Sequence, residues 1–126
     1  MDWKIDDAGI RNHMCKGMLK LFILFSLVKK EMHGYALLKE FNSKAYRFLG
    51  GWKLGVGEFY AVLSALEEGK ILKSSWTSGK RPKKIFSLTA KGKTVVKTAK
   101  GRFSSAMMFF REVVPELFNG SAVKSR

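Results

Sequence analysis

The fold of this chain is decided by residues 57–92, which read GEFYAVLSALEEGKILKSSWTSGKRPKKIFSLTAKG. Apolar side chains recur at helical spacing over residues 57–68, which predicts an amphipathic helix. Two short β segments are predicted after it, at 71–77 and 83–88, and the basic turn between them contains both Gly and Pro. The stretch therefore predicts one helix followed by a β-hairpin whose tip is positively charged.

The residues before this stretch predict two further helices. Helical periodicity starts near Asp7, which we expect to cap the first helix, and it continues to Val28. Gly17 is a point where this segment could divide into two helices. A second amphipathic helix is predicted from Tyr35 to Ala45. The sequence therefore predicts two helices, then the third helix and the hairpin, all within one small domain.

After the hairpin, a long helix is predicted to begin at residues 89–92 and to carry a continuous apolar seam. The seam residues follow each other at steps of three and four, as in a coiled coil. A monomer of this length offers no second layer to cover them, so they predict a homodimer, assisted by the N-terminal helix. Pro115 is expected to kink or fray the last turn. The predicted interface residues are Val96, Ala99, Phe103, Ala106, Met107, Phe110, Val113 and Leu117.

The charge of the chain indicates a polyanionic partner. Its formal net charge is +14, and no Asp or Glu occurs from Gly69 to Arg111, although half of the 24 Lys and Arg residues lie there. Trp76, Phe86 and Leu88 interleave with these charges, so we expect this segment to pack a core rather than to form a flexible tail. Nucleic acid is the partner that best fits a folded surface of this charge.

Three helices followed by a hairpin with a basic tip is the element order of a winged helix-turn-helix. The predicted fold class is mainly α with a small β-hairpin, a winged helix-turn-helix extended by a long C-terminal dimerisation helix. We expect a winged-helix DNA-binding domain at 1–92, which includes the N-terminal helix, a dimerisation helix at 93–118 and a mobile tail at 119–126.

The composition disfavours several other classes of protein. Cys15 is the single cysteine, and together with only two histidines it predicts neither a disulfide nor a metal site. No nucleophile, base and orienting group can be assembled, so we predict no enzymatic activity and no cofactor. The most apolar window, residues 18–28, is too short to cross a bilayer, and the acidic N-terminus is unlike a secretory signal. We expect a cytoplasmic protein.

Three blocks of sequence carry a resemblance to a known family. They are HGYALLK at 33–39, GEFYAVLSALEEGKI at 57–71 and PKKIFSLTAKG at 82–92. Their order and spacing resemble the PadR family of transcriptional regulators. The resemblance implies a dimeric regulator, usually a repressor, that binds double-stranded DNA, here at a pseudo-palindromic operator. It also implies, as in some relatives, a hydrophobic effector at the dimer interface.

The resemblance further implies which residues meet DNA. Tyr35 would lie at the start of the second helix, Tyr60 and Ser64 on the third. Glu58 departs from the family pattern, which commonly has a small hydroxyl residue there, and a carboxylate weakens a phosphate contact unless it caps the helix or binds a cytosine amino group. The full predicted set, with the basic wing, is Tyr35, Lys53, Glu58, Tyr60, Ser64, Lys80, Arg81, Lys83 and Lys84.

Several of these interpretations have alternatives. Tyr35 and Tyr60 have the spacing of packing residues as well as of DNA contacts, and the stretch 107–110 fits a plain dimer core as well as an effector cavity. Two other functions also stay open for the whole chain. One is a basic architectural or RNA-binding module without sequence preference, and the other is a protein-interaction domain that uses the Phe-rich C-terminal helix.

Overall fold

The computed structural model describes residues 6–48, 50 and 53–118. The predicted mobile tail, 119–126, and Trp52 of the connector before the third helix lie outside these described residues. Two compact units divide between Lys93 and Thr94. In chain order the described elements are α1 (Asp7–Lys29), β1 (Met32–His33), α2 (Gly34–Phe48), α3 (Val56–Glu68), β2 (Leu72–Trp76), β3 (Lys84–Leu88), α4 (Ala90–Val113) and a 3-10 turn (Pro115–Phe118).

This element order confirms the predicted fold class. Three helices precede the β2–β3 hairpin, which we call the wing, and a long helix follows it. Helix α1 contacts α2 and β3, α2 contacts α3, and α3 contacts β2, so the helices enclose one face of the sheet. The wing turn is closed by Thr77, whose backbone N–H donates to the Lys83 carbonyl at 2.9 Å while its hydroxyl accepts from the Lys83 N–H at 2.8 Å.

The sheet has one strand more than the sequence predicts. The strands are antiparallel in the order β1-β3-β2, with Met32 opposite Phe86 and Ser74 opposite Phe86 on its other side. Strand β1 has two residues, which is too short to produce a detectable alternation. Because β1 pairs with its other side, β3 is the central strand. Pro82 lies in the turn before β3, where no ladder hydrogen bond is required of it.

Helix α1 differs from its prediction in three ways. Asp6, not Asp7, is the N-cap, and its carboxylate accepts a hydrogen bond from the Gly9 N–H at 2.9 Å. The helix is continuous through Gly17. Four apolar residues of the predicted periodicity, Ile10, Met14, Met18 and Val28, are exposed rather than buried in the core. The helix is apolar around much of its circumference, so two stripes satisfy the same 3.6-residue period.

The core of the first unit lies between the helices and the sheet. Phe59, Leu63 and Leu66 of α3 are buried as predicted, and Val62 is half-buried. Trp76 was expected to pack in this core, but it is 66% exposed. The buried apolar residues of this unit are Cys15, Leu19, Ile23, Leu24, Leu27, Leu37, Leu38, Phe41, Ala45, Leu54, Phe59, Leu63, Leu66, Leu72, Phe86 and Leu88.

The end of α3 uses an unusual residue. Gly69 is the C-cap, but its φ is −76°, and it is Lys70 that takes the left-handed conformation with φ +63°. The N–H groups of Lys70 and Ile71 donate to the carbonyls of Glu67 and Leu66, both at 3.0 Å. This is the hydrogen-bond pattern of a Schellman motif, in which a glycine usually occupies the Lys70 position.

Helix α4 begins where the sequence indicates but ends earlier than the predicted residue 118. The Thr89 hydroxyl accepts a hydrogen bond from the Gly92 N–H at 2.9 Å, which caps the first turn. The α-helix ends at Val113, two residues before Pro115, because proline cannot continue the hydrogen-bond ladder. Leu117 therefore lies in the 3-10 turn rather than on the helical seam.

Candidate nucleic-acid interface

Helix α3 presents small side chains to solvent between the exposed carboxylates of Glu58 and Glu68. Ala61, Ser64 and Ala65 are exposed, and the helix contains no Lys or Arg. Small side chains allow a helix backbone to approach base edges closely. This face can therefore enter a groove, but it supplies little of the general attraction to phosphate.

Glu58 lies in the first turn of α3, where a carboxylate interacts favourably with the helix dipole. Its Oε2 lies 4.0 Å from Nζ of Lys16 on α1, and both side chains are largely exposed. An exposed pair of this kind contributes little to stability. The departure from the family pattern at this position thus fits a role in helix initiation, with Lys16 partly offsetting the negative charge.

The cations of the wing divide into two groups. Lys80, Arg81 and Lys83 are exposed at the wing tip, residues 78–83. Lys84 was predicted to join them, but its Nζ lies 3.5 Å from Oε1 of Glu67 and 5.5 Å from the centre of the Phe86 ring. The wing tip offers three exposed positive charges to a polyanion, whereas the charge of Lys84 is directed toward α3.

Glu67 connects α3 to the wing. The Ser74 hydroxyl donates to Oε2 of Glu67 at 2.5 Å, and Lys84 approaches the other carboxylate oxygen. The hydrogen bond from Ser74 lowers the pKa of Glu67, partial burial opposes it, and the charge of Lys84 lowers it further. The Glu67 carboxylate therefore stays ionised and holds the wing at a defined angle to α3.

Tyr60 packs against the start of α2. A Cβ atom built on Gly34 would lie 2.7 Å from the Tyr60 hydroxyl and 2.8 Å from its Cε1. Only glycine leaves room for the ring at this distance. Tyr60 is half-buried, so the packing role that the sequence left open accounts for part of its surface, and the rest stays accessible.

A cleft of about 340 Å³ opens between α2, α3 and the wing. We call it the wing cleft. No Asp or Glu is among the residues that line it. It brings together side chains far apart in sequence, of which the chief ones are Gly34, Tyr35, Tyr60, Trp76, Pro82 and Lys83.

Tyr35 and Lys53 line the same cleft at the outer surface of α2. Tyr35 is 57% exposed, and Nζ of Lys39 lies 5.7 Å from the centre of its ring. The Asn42 side chain accepts from the Leu54 N–H at 3.0 Å and donates to the Leu54 carbonyl at 3.2 Å, which fixes the connector that carries Lys53. A second cleft, of about 540 Å³, lies here and also includes Tyr46.

Four residues that line these two clefts were not predicted from the sequence: Lys39, Asn42, Tyr46 and Trp76. Lys39, Asn42 and Tyr46 follow Tyr35 at steps of three and four, a helical spacing that could have identified them as one face of α2. Trp76 gave no such signal, because an aromatic residue at the end of a strand is usually read as core.

In the second unit, most of the predicted seam residues of α4 are half-buried or exposed. Val96 is buried, while Ala99, Ala106 and Met107 are half-buried. Phe103, Phe110, Val113 and the non-helical Leu117 are exposed, with 42% of Phe110 accessible. The exposed seam residues form an apolar surface of the kind that marks interaction sites.

Residues 6–48, 50 and 53–118 contain neither a candidate membrane span nor a candidate metal site. None of the helices there combines the length and the apolarity that a membrane span requires. Within the same residues, no three His, Cys, Asp or Glu side chains gather as metal ligands would. Cys15 is buried in α1, and burial raises the pKa of its thiol although Arg11 lowers it.

The sequence model of the transcriptional regulator PadR-like family matches residues 23–98. This match begins within α1, includes α2, α3 and the wing, and ends in α4. None of the curated proteins matches this sequence significantly.

Several solved structures are similar to this chain. A transcriptional regulator from Clostridium thermocellum has 17% identity and a TM-score of 0.68, over 81% of this chain and 98% of that one. A PadR-like transcriptional regulator from Bacillus cereus has 20% identity and a TM-score of 0.69, over 81% of this chain and 96% of that one. Bacillus subtilis PadR in complex with operator DNA has 26% identity and a TM-score of 0.55, over 64% of this chain and 44% of that one.

Proposed function

This chain belongs to the transcriptional regulator PadR-like family, and on that premise we propose that it binds a specific operator in double-stranded DNA and represses transcription from it. One observation carries the proposal. The small exposed side chains of α3, Ala61, Ser64 and Ala65, lie in the same compact unit as the cationic wing tip. The first surface suits reading of base edges and the second suits attraction to phosphate.

The proposed regulator acts as a homodimer on a pseudo-palindromic site. Phe103 and Phe110 expose their rings on α4, and Ile10, Met14 and Met18 form an exposed apolar stripe on α1. Apolar surface of this extent on a small chain marks an interaction surface. A second copy would cover it and would supply the second α3 that a two-fold symmetric operator requires.

Two further assignments follow from the same proposal. The hydrophobic effector implied by the family resemblance would bind at the dimer interface, against Met107 and Phe110. The protein would act in the cytoplasm, where chromosomal DNA is accessible to a bacterial-type regulator of this family. An effector of this kind would raise the midpoint of thermal unfolding, by an amount that grows with the logarithm of its concentration above the dissociation constant, which a thermal-shift series measures.

Binding to the DNA upstream of the chain's own gene, compared with a random duplex of equal length, tests the proposed function. Both affinities should be measured at one fixed salt concentration, since phosphate contacts make each of them salt-dependent. Preference for the upstream DNA supports an operator-specific regulator. Equal binding supports the architectural module, and no binding to either supports the protein-interaction domain.

Ser64→Tyr tests whether α3 reads the sequence. The bulky side chain would hold the helix away from base edges, so we expect the preference for the operator to shrink by about 1–3 kcal/mol while random binding is retained. Ser75→Tyr is the matched control, because Ser75 is an exposed serine on β2. An equal loss on both duplexes in Ser64→Tyr would contradict reading by α3.

A further inference from the structure

Trp76 has an unusual position for an exposed tryptophan. It is the last residue of β2, and alternation along the strand places it on the same face of the sheet as Leu72 and Ser74. Leu72 is buried in the core, and Ser74 donates a hydrogen bond to Glu67 of α3. The indole therefore lies on the α3 side of the wing, one step beyond the point where the core ends.

The neighbours of Trp76 do not cover it. Its cross-strand partner is Lys84, whose ammonium group is directed to Glu67. With 66% of its surface accessible, Trp76 is among the more exposed large apolar residues of the described chain. Core packing therefore does not explain why a tryptophan occupies this position.

The wing cleft shows what kind of partner the indole could meet. Tyr60 from α3, Tyr35 from α2 and Lys83 from the wing line the cleft together with Trp76. The phenol and indole groups and the lysine can all donate hydrogen bonds, and none of the lining residues is an acid. Apolar ring surfaces beside hydrogen-bond donors and a cation match a strand of alternating deoxyribose and phosphate.

We propose that the wing cleft holds one strand of the DNA backbone between α3 and the wing, with the Trp76 indole packed on a deoxyribose and its Nε1–H donated to a phosphate. Tyr60 and Lys83 bind the same strand from the two walls of the cleft. This inference rests on the proposed function, because it assigns a contact within a complex with duplex DNA. The contact involves the backbone alone, so it strengthens operator and random binding equally.

Titration of a fluorescein-labelled random duplex of about 30 base pairs, long enough for two half-sites one helical turn apart, tests the assignment. Trp76→Ala should weaken binding about tenfold, because it removes a hydrogen bond to a charged group. Trp76→Phe should weaken it less, since the ring still packs on the sugar. Neither variant should change the salt slope, whereas Lys83→Ala should reduce its magnitude by about 0.9.

The matched control is Phe48→Ala, which removes an equally exposed ring at the opposite end of α2 from the cleft. It should bind like the wild type. Trp76 is on the surface, so its variants should keep the wild-type midpoint of thermal unfolding. A second measurement uses Trp3→Phe with Trp52→Phe, which leaves Trp76 as the single tryptophan. Its emission should change when saturating duplex is added.

Three results would overturn the proposal. Trp76→Ala could bind the duplex as the wild type does, or the emission of Trp76 could stay constant on binding. Trp76→Ala could also lose binding to a single-stranded oligonucleotide while it keeps wild-type binding to the duplex, which would show that the indole stacks on unpaired bases. By contrast, a wild-type protein that binds no duplex at all would refute the proposed function itself.

Discussion

Gly92 is the residue on which the junction between the wing and α4 depends. A Cβ atom at this position would lie 2.2 Å from the backbone carbonyl oxygen of Ile71. That oxygen also accepts hydrogen bonds from the backbone N–H and the hydroxyl of Thr89. The first turn of α4 can therefore approach the start of the wing this closely only if residue 92 has no side chain.

Gly92→Ala should lower the free energy of unfolding by about 1–3 kcal/mol, as expected when an atom is forced into a packed site. Gly101→Ala is the matched control, because no atom lies within 4 Å of a Cβ built there on the same helix. It should raise the free energy of unfolding by about 0.5–1 kcal/mol. Urea unfolding at one protein concentration measures both, and equal effects would contradict the close approach.

Glu67 should make stability depend on pH in the acidic range. Its pKa is lowered in the folded state from the ordinary 4.5, chiefly by the Ser74 hydrogen bond, so the folded state binds fewer protons than the unfolded state. The stabilisation is complete above pH 4.5 and is lost as the pH falls through the lowered pKa. Glu67→Gln should therefore be less stable than the wild type at pH 7, and the difference should shrink toward pH 3.

Thermal unfolding at both pH values measures this difference. Glu68→Gln is the control, since Glu68 is the exposed neighbouring carboxylate. It should change stability little at either pH, as surface substitutions usually do. A difference for Glu67→Gln that stays constant between pH 7 and pH 3 would show that the carboxylate form is not what Ser74 and Lys84 stabilise.

At the scale of the element, the proposed function assigns different parts of DNA binding to the wing and to α3. The wing tip carries exposed Lys80, Arg81 and Lys83, while α3 carries no cation. The Glu67 contacts with Ser74 and Lys84 join the two elements. Substitutions in the wing should therefore change the affinity for every duplex. Substitutions in α3 should change the preference for the operator over random DNA.

Lys80→Ala combined with Arg81→Ala should weaken binding to all duplexes and reduce the salt slope by about one to two, because each phosphate contact contributes roughly 0.9 to it. The matched control is Lys29→Ala combined with Lys30→Ala, which removes two consecutive exposed lysines at the end of α1. Affinity at several salt concentrations gives the slopes. An unchanged slope for the wing variant would mean that the tip does not contact phosphate.

At the scale of the whole molecule, the proposed function assigns the exposed apolar surfaces of α1 and α4 to contact with a second copy. Phe110→Lys should convert a dimer to a monomer, because a charge buried in the seam without a partner is unfavourable. Ser105→Lys is the control, since Ser105 is exposed, lies five positions away and is therefore roughly 140° around the helix. Sedimentation velocity measures the outcome, and a wild type that sediments as a monomer at micromolar concentration would contradict the dimer.

The amino-acid sequence by itself determined the order of the elements, the basic wing and the capped start of α4. These features depend on spacing and on residue types within a few positions of each other. Local periodicity could not determine which stripe of α1 is buried, since Ile10 and Met14 satisfy the same period as Cys15 and Leu19. That choice depends on where α2 and β3 lie.

Only the tertiary structure decided the arrangement of the candidate site. Tyr60 meets Gly34, and Lys84 meets Glu67 rather than solvent, through contacts between residues well separated in sequence. Trp76 has the sequence signature of a core residue, yet its strand extends past the core and leaves the indole in the open cleft. Side-chain exposure depends on which elements end where, and that is a property of packing rather than of composition.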